Sequence, residues 1–439
     1  MFKEVSQELL EFLSKSPTAF HAVENYRQVL NADGFKELLE SEHWDIVPGG
    51  KYYVTRNNSS ILAFKVGTKL DHYSFNIVTS HTDSPTFKVK ENAEIEVKNK
   101  YTQLNTEGYG GMLCATWLDR PLSIAGRVLV EEGDNIVTKL INIDRDLLMI
   151  PNVAIHMNRA ANEGVPYNSQ VDMLPLLSGG EDRQKDFKQL IADELGIKKE
   201  AILGHDLYLY NRMAPSIWGA NEEFISSGHL DDLQCGFASL KALLEGYNDE
   251  SIDVMACFDN EEVGSGTKQG ADSTLLSDTL SRINASLGKT DEDYHRALAS
   301  SFMLSSDNAH AVHPNHPEHT DVNNCTYMNE GVVVKSHAGQ KYTSDGVSMA
   351  VVKALASSVD VPLQYFANRS DKAGGSTLGN IAMAQASMNA VDIGLPQLAM
   401  HSSYETAGVK DTYYAITLMK ALYNAHIQET DAHCLKVTR

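Results

Sequence analysis

The sequence predicts an α/β fold interrupted by a β-rich insertion, on three observations. Apolar strand-like runs alternate with helical patterns up to residue 90 and again from Leu230. Between about 90 and 228 short strands and turns take over, with one firm helical pattern. Several apolar runs of the α/β parts lead straight into polar residues, the place where open α/β sheets bind their ligands. The reading divides the chain into a discontinuous α/β domain, 1–90 and 229–439, and an inserted β-rich domain, 91–228.

In chain order, Val5, Leu9, Phe12 and Leu13, then Phe20, Val23, Tyr26 and Leu30, mark two helices, with Pro17 suited to the first turn of the second. KYYVTR at 51–56, SILAFKV at 60–66 and SFNIVTS at 74–80 read as strands, the last running into His81-Thr82-Asp83-Ser84-Pro85. In the insertion, VKENAEIEVKN, LSIAGRVLV and NIVTKLINI read as strands, Glu131 to Asp134 as a hairpin turn, and DFKQLIADEL as a helix. The second α/β stretch reads as helix 231–246, strands IDVMACF, FMLSS and VVVK, helix 345–357, strand PLQYFAN, helix 376–387 and a final helix at 410–427. Lys51, Lys65, Lys88, Lys90 and Arg127 lie in strand-like runs and are expected on solvent faces.

The 439 residues are 42% apolar, enough for a sizeable core and against global disorder. Lys plus Arg number 37 and Asp plus Glu 58, a net charge of -21. That balance excludes nucleic-acid binding through a general basic surface. Five scattered cysteines read as reduced thiols and make the cytoplasm the default compartment. The first residues pattern as an amphipathic helix rather than a signal peptide, and no run approaches the ~20 apolar residues of a membrane span.

The chemistry concentrates in four polar clusters. IDVMACF leads into Asp259-Asn260-Glu261-Glu262-Val263-Gly264-Ser265, and FMLSS into Asp307-Asn308-Ala309-His310-Ala311-Val312-His313-Pro314. Gly228-His229-Leu230-Asp231-Asp232-Leu233 opens a helix, and Ala399-Met400-His401-Ser402-Ser403 lies near the end. A single acid at a helix start is more often a cap. Two His with three or four carboxylates at strand ends instead supply the nitrogen and oxygen ligands a zinc pair needs. Such a pair needs a bridging carboxylate and one uncoordinated carboxylate to take a proton from water, and adjacent Glu261 and Glu262 can divide ligation and proton transfer between them. His310, His313, His316 and His319 crowd the loop after Asp307 and read as loop residues; Gly374-Gly375 lacks the Lys and spacing of a phosphate loop and reads as a turn feeding a helix.

These clusters, together with Ser16-Pro17-Thr18-Ala19-Phe20-His21, Leu118-Asp119-Arg120, Ile150-Pro151-Asn152-Val153-Ala154-Ile155-His156, Gly374-Gly375-Ser376-Thr377-Leu378-Gly379 and Gln397-Leu398-Ala399-Met400-His401-Ser402, occur in an order that resembles the aspartyl aminopeptidases nearly end to end. The resemblance implies a three-layer mixed-sheet, zinc-exopeptidase-like catalytic domain whose insertion serves for dimerisation. It further implies a homo-dodecamer built from dimers and two zinc ions per subunit, with manganese or cobalt as substitutes.

Carried over by position, the resemblance makes Asp231 the bridge, His81 and Asp307 the ligands of one zinc, and Glu262 and His401 those of the other. Glu261 is then the general base, and Asp83 orients the His81 imidazole. His156 is expected to reach across the dimer interface and help hold the oxyanion. Lys335 and Tyr342 are expected to bind the acidic side chain of the substrate. Where many relatives carry Arg and Asn, this chain has His229 and Asp232, and an extra acid there would weaken a local preference for acids.

The expected reaction is removal of an N-terminal residue, Asp or Glu by preference, from peptides with a free N-terminus. Nucleic acid and membrane are not expected partners. Two rivals are a related zinc amide hydrolase, a deacylase or carboxypeptidase, and a non-catalytic assembly protein that carries zinc structurally; an unliganded Glu261 argues against the second.

Overall fold

A computed structural model describes residues 1–164 and 166–439. Successive residues of its central strands face two different apolar cores, as the period of two requires. Phe75 and Ile77 belong to one core and Val78 to the other; Val254, Ala256 and Phe258 face one side, Met255 and Cys257 the opposite. One core is closed by the helices Phe2–Ser14, Ala19–Ala32, Leu230–Glu245, Gly346–Ser358 and Asp411–Asn424, the other by Leu275–Ser286, Asp291–Ala299 and Leu378–Gln385. The result is helix, sheet, helix: three layers.

The sheet has nine strands in the spatial order Lys36–Leu38, Lys51–Arg56, Ser60–Val66, Ser251–Phe258, Ser74–His81, Phe302–Ser306, Asn389–Gly394, Val332–Lys335 and Leu363–Phe366. Four neighbours, Ser251–Phe258, Ser74–His81, Phe302–Ser306 and Asn389–Gly394, run parallel. The flanking Ser60–Val66 and Val332–Lys335 run antiparallel to them, so the sheet is mixed. Parallel strands present their carboxyl ends on one edge, and three of these strands deliver His81, Glu261-Glu262 and Asp307 to it.

A separate apolar core, built around Phe87, Trp117, Ile124, Val128 and Leu207, lies under a six-stranded sheet. Its strands are Asn135–Asn142, Leu122–Glu132, Ile202–Asn211, Thr86–Val97, Tyr101–Tyr109 and Leu176–Gly179. Residue 90 falls within the continuous strand Thr86–Val97, so the change of sheet comes several residues earlier than the change of texture. Ser216–Trp218 and Phe224–Ser227 pair instead with Glu405–Gly408, in a five-stranded sheet that also holds Pro396–Leu398 and Ala309–His310.

Three expected strand cations are not on solvent faces. Lys65 is 6% exposed, and its ammonium donates to the carbonyls of Leu243 (2.8 Å) and Gly246, where the helix Leu230–Glu245 leaves carbonyls without amide partners. Lys88 and Arg127 both bind Asp206, at 2.8 and 2.9 Å, and the Arg127 guanidinium also donates to the Asn57 carbonyl at 2.7 Å and lies over the Phe20 ring. The final helix stops at Asn424, because Ala425 is extended, and the chain ends in the hairpin His426–Asp431 with Cys434–Thr438. All five cysteines are free thiols, and no described helix is long and apolar enough to cross a membrane.

Candidate metal centre

His81 ends the strand Ser74–His81, and Asp307 follows Phe302–Ser306 directly. Asp231 stands at the start of the helix Leu230–Glu245, where Asp231 and Asp232 have non-helical torsions and a cis peptide joins them. Glu261 and Glu262 form a short turn after Ser251–Phe258, entered through Asn260 and left through Gly264, both with positive φ. His401 follows Pro396–Leu398. All five expected metal ligands and Glu261 therefore meet at one sheet edge.

The two oxygens of Asp231 face different histidines. Oδ1 is 3.4 Å from His81 Nε2, and Oδ2 is 3.5 Å from His401 Nε2. His81 Nε2 lies 3.8 Å from Asp307 Oδ1, and His401 Nε2 lies 3.2 Å from Glu262 Oε2. This is a pair of half-sites with Asp231 between them.

Each imidazole is held by its other nitrogen. His81 Nδ1 is 3.1 Å from the Asp83 carbonyl and 3.4 Å from the Asp83 carboxylate; His401 Nδ1 is 2.5 Å from the Gly111 carbonyl. A carbonyl can only accept, so Nδ1 carries a proton, and with a cation bound Nε2 would offer its lone pair to it. That is the tautomer a metal-ligating histidine needs.

The surroundings fix the rest. Asp83 accepts the backbone N–H groups of Glu261 and Glu262 and the Tyr109 hydroxyl. Gly110, with φ of +75°, passes so close to Glu262 that a Cβ there would lie 3.1 Å from the Glu262 Cβ. Glu405 accepts the backbone N–H of Asp231 at 3.0 Å and of His401 at 2.8 Å, tying the bridging acid to the second histidine. Asp232 is fully buried, accepts the His81 backbone N–H at 3.2 Å, and burial pushes its carboxyl well above the usual range. Its other oxygen is buried without a hydrogen-bond partner, beside His81 and Asp307.

The donor chemistry fits divalent zinc. Asp231 Oδ1 and Glu262 Oε1 are buried and accept no hydrogen bond, which is costly for a carboxylate unless a cation takes the lone pairs. Burial pushes Glu262 well up and Glu261 up to about 7, with neighbouring carboxylates adding to both. Burial also opposes ionisation of Asp307, but Lys335 and His81 outweigh it and hold that carboxyl well below the usual range. Nitrogen and oxygen donors arranged as two half-sites around a shared carboxylate suit a zinc pair.

The remaining expected residues fall differently. Tyr342 is buried, with its ring 5.4 Å from the Lys335 ammonium. Lys335 is only 3% exposed and donates to the Asp307 carbonyl (2.8 Å), the Asp307 carboxylate (3.3 Å) and the Asn308 carbonyl (3.2 Å). An ammonium has three N–H groups, and these three contacts account for them: in this structure Lys335 holds Asp307. His156 is exposed on an irregular loop and makes no side-chain hydrogen bond or ion pair among the described residues. Val153, Ile155, Met157 and Val171 are exposed with it. His316, Glu318 and His319 bring ligand atoms within 4.8 Å of one another, on the exposed loop after Asp307.

Comparison with known proteins agrees with this geometry. Residues 12–423 match the family described as aminopeptidase I zinc metalloprotease (M18). "Probable M18 family aminopeptidase 2" of Clostridium novyi (strain NT) is 50% identical over 426 residues, covering 95% of this chain and 98% of the relative. The solved mApe1 of Chaetomium thermophilum superposes with a TM-score of 0.86 at 30% identity, covering 97% of this chain and 98% of that one. The mApe1 dodecamer of S. cerevisiae gives 0.84 at 26% identity, covering 96% and 98%. The chain belongs to the M18 family of zinc metallo-aminopeptidases.

Proposed function

We propose that the enzyme removes N-terminal residues, Asp or Glu by preference, from peptides with a free N-terminus, using two zinc ions per subunit. Asp231 would be shared between them, His81 and Asp307 would complete one site, and Glu262 and His401 the other; manganese or cobalt could substitute. The observation that carries this reading is Asp231, whose two oxygens face two differently held histidines. Zinc bound there supplies Lewis-acid polarisation of the scissile carbonyl and a water acidified toward neutrality.

The chain's own groups do the rest. Glu261 sits beside His81 and Glu262 with its backbone N–H tied to Asp83, which supports its carboxylate as the group beside an activated water. It accepts the water proton and returns it to the leaving amine. Asp83 orients the His81 ring and the Glu261-Glu262 turn together. The preference for an acidic first residue is supported by the resemblance; the buried Lys335 ammonium, next to Tyr342, is taken up by Asp307 and Asn308.

His156 would help hold the oxyanion in another copy of the chain, across an interface formed by the 91–228 insertion. Exposed Val153, Ile155, Met157 and Val171 around it support such a contact, as does the dodecameric state of the S. cerevisiae mApe1 neighbour. A homo-dodecamer built from dimers and a cytoplasmic location complete the proposal, the latter supported by five free thiols.

The test is hydrolysis of matched peptides beginning with Asp, Glu, Leu or Lys, each free and N-acetylated, with metal content measured alongside. The proposal expects about two zincs per chain, faster cleavage of the acidic peptides and no cleavage of acetylated ones. Faster cleavage of acetylated peptides would favour a deacylase, and one metal per chain at full activity would overturn the shared role of Asp231.

A further inference from the structure

Beyond the metal centre, a cavity of about 280 Å³ opens against its edge. Two of its walls are continuous with metal-binding segments. One runs on from Asp307 into the strand Ala309–His310; the other, Pro396–Leu398, leads through Ala399 and Met400 into His401, and the two strands pair, His310 opposite Gln397. The third wall is the segment from Phe366 to Lys372.

The cavity lining offers donors without acceptors. Gln397 is 1% exposed; its Oε1 accepts from Asn308 Nδ2 at 3.2 Å, which leaves Nε2 as the buried donor with no partner. Asn368 Nδ2 is likewise buried and unpartnered. Lys372 makes no ion pair among the described residues, whereas Arg369 is already occupied by Asp371, through two contacts of 2.9 Å. No Asp or Glu is among the described lining residues, in a chain whose net charge is -21. Two orphaned amide N–H donors and a free ammonium around one cavity call for an anionic, oxygen-bearing group.

We propose that this cavity receives a carboxylate carried by the peptide beyond the scissile bond, so that short peptides with a free C-terminus are preferred substrates. The proposal rests on the aminopeptidase reading. The volume, close to the lower bound of ~300 Å³ for sites that take a whole small molecule, exceeds what one acidic side chain fills and suits a residue with its terminal carboxylate. Gln397 and Asn368 would donate to the carboxylate oxygens, and Lys372 would supply the charge.

The zinc-loaded full-length enzyme is assayed on Glu-Ala-Ala and Leu-Ala-Ala, each as free acid and as C-terminal amide. For both first residues kcat/KM should be at least about 10-fold higher for the acid, the scale of a hydrogen bond to a charged group. Lys372→Glu, and independently Gln397→Glu, should bring the acid-to-amide ratio to about one or below, whatever the first residue. Equal rates on acid and amide in the wild type, or a ratio untouched by both substitutions, overturn the subsite while leaving the aminopeptidase reading intact. If the substitutions change the Glu-to-Leu ratio instead, the cavity holds the first side chain and the proposal fails. An enzyme that cleaves none of the four peptides overturns the aminopeptidase reading and the subsite with it.

Discussion

One carboxylate oxygen of Asp83 accepts the backbone N–H of Glu261 at 3.1 Å, and the other accepts that of Glu262 at the same distance. The same residue lies 3.4 Å from His81 Nδ1 and takes the Tyr109 hydroxyl at 2.7 Å. One short side chain thus sets the expected histidine ligand and the turn bearing the proposed general base. Asp83→Ala should lower metal affinity or activity by about 10- to 100-fold, the usual loss when a partner of a metal-ligating histidine is removed. Metal titration by calorimetry and kcat on an aminoacyl substrate read this out; unchanged values would make Asp83 an ordinary cap.

The contacts of Lys335 predict a general defect rather than a specificity switch. Its ammonium reaches Asp307 and Asn308, and removing it leaves a buried carboxylate without its cation, a change that typically costs several kcal/mol. Lys335→Ala should lose metal and fall at least about 10-fold on acidic and neutral substrates alike. A loss confined to Asp and Glu substrates would show a direct contact with the substrate acid instead.

A pH effect on stability arises away from the metals. Asp253 is buried in the central sheet, and burial pushes its carboxyl up to about 8 although Ser251, Asn76 and Lys65 pull it down. The folded chain holds this proton at neutral pH, whereas the unfolded chain releases it near pH ~4. The group's contribution is therefore full below pH ~4 and is lost as pH rises toward about 8. Asp253→Asn cannot ionise, so its thermal midpoint relative to wild type should climb by a few degrees between pH 5 and 8. A difference that stays flat or falls would mean that the carboxylate is ionised in the fold.

The expected ligand residues were legible as a cluster because most of their segments follow apolar runs, and their separate roles came from the resemblance, whose segments keep their order along the chain. Tyr109, Gly111 and Glu405 were harder to see as parts of the centre, since they act through backbone groups or through Asp83; only the run Tyr109-Gly110-Gly111 after a strand hints at a close approach. Lys65, Lys88 and Arg127 read as surface cations because burial of a charge depends on which carbonyls and carboxylates tertiary structure brings to it. The central strand Asn389–Gly394 was missed because Asp392 interrupts its apolar run. That acid is buried, and its carboxylate accepts the Thr343 backbone N–H at 2.5 Å. Ile202–Asn211 escaped for a related reason: Gly204, His205 and Asp206 interrupt a strand that pairs on both sides.

In the proposed reaction Glu261 moves the proton while its neighbour Glu262 helps hold metal. The most direct measurement is kcat of Glu261→Gln in protein carrying the wild-type complement of zinc. Turnover should fall by on the order of 100-fold or more, as expected on removal of a general base. Turnover within about twofold of wild type at full zinc content would contradict it.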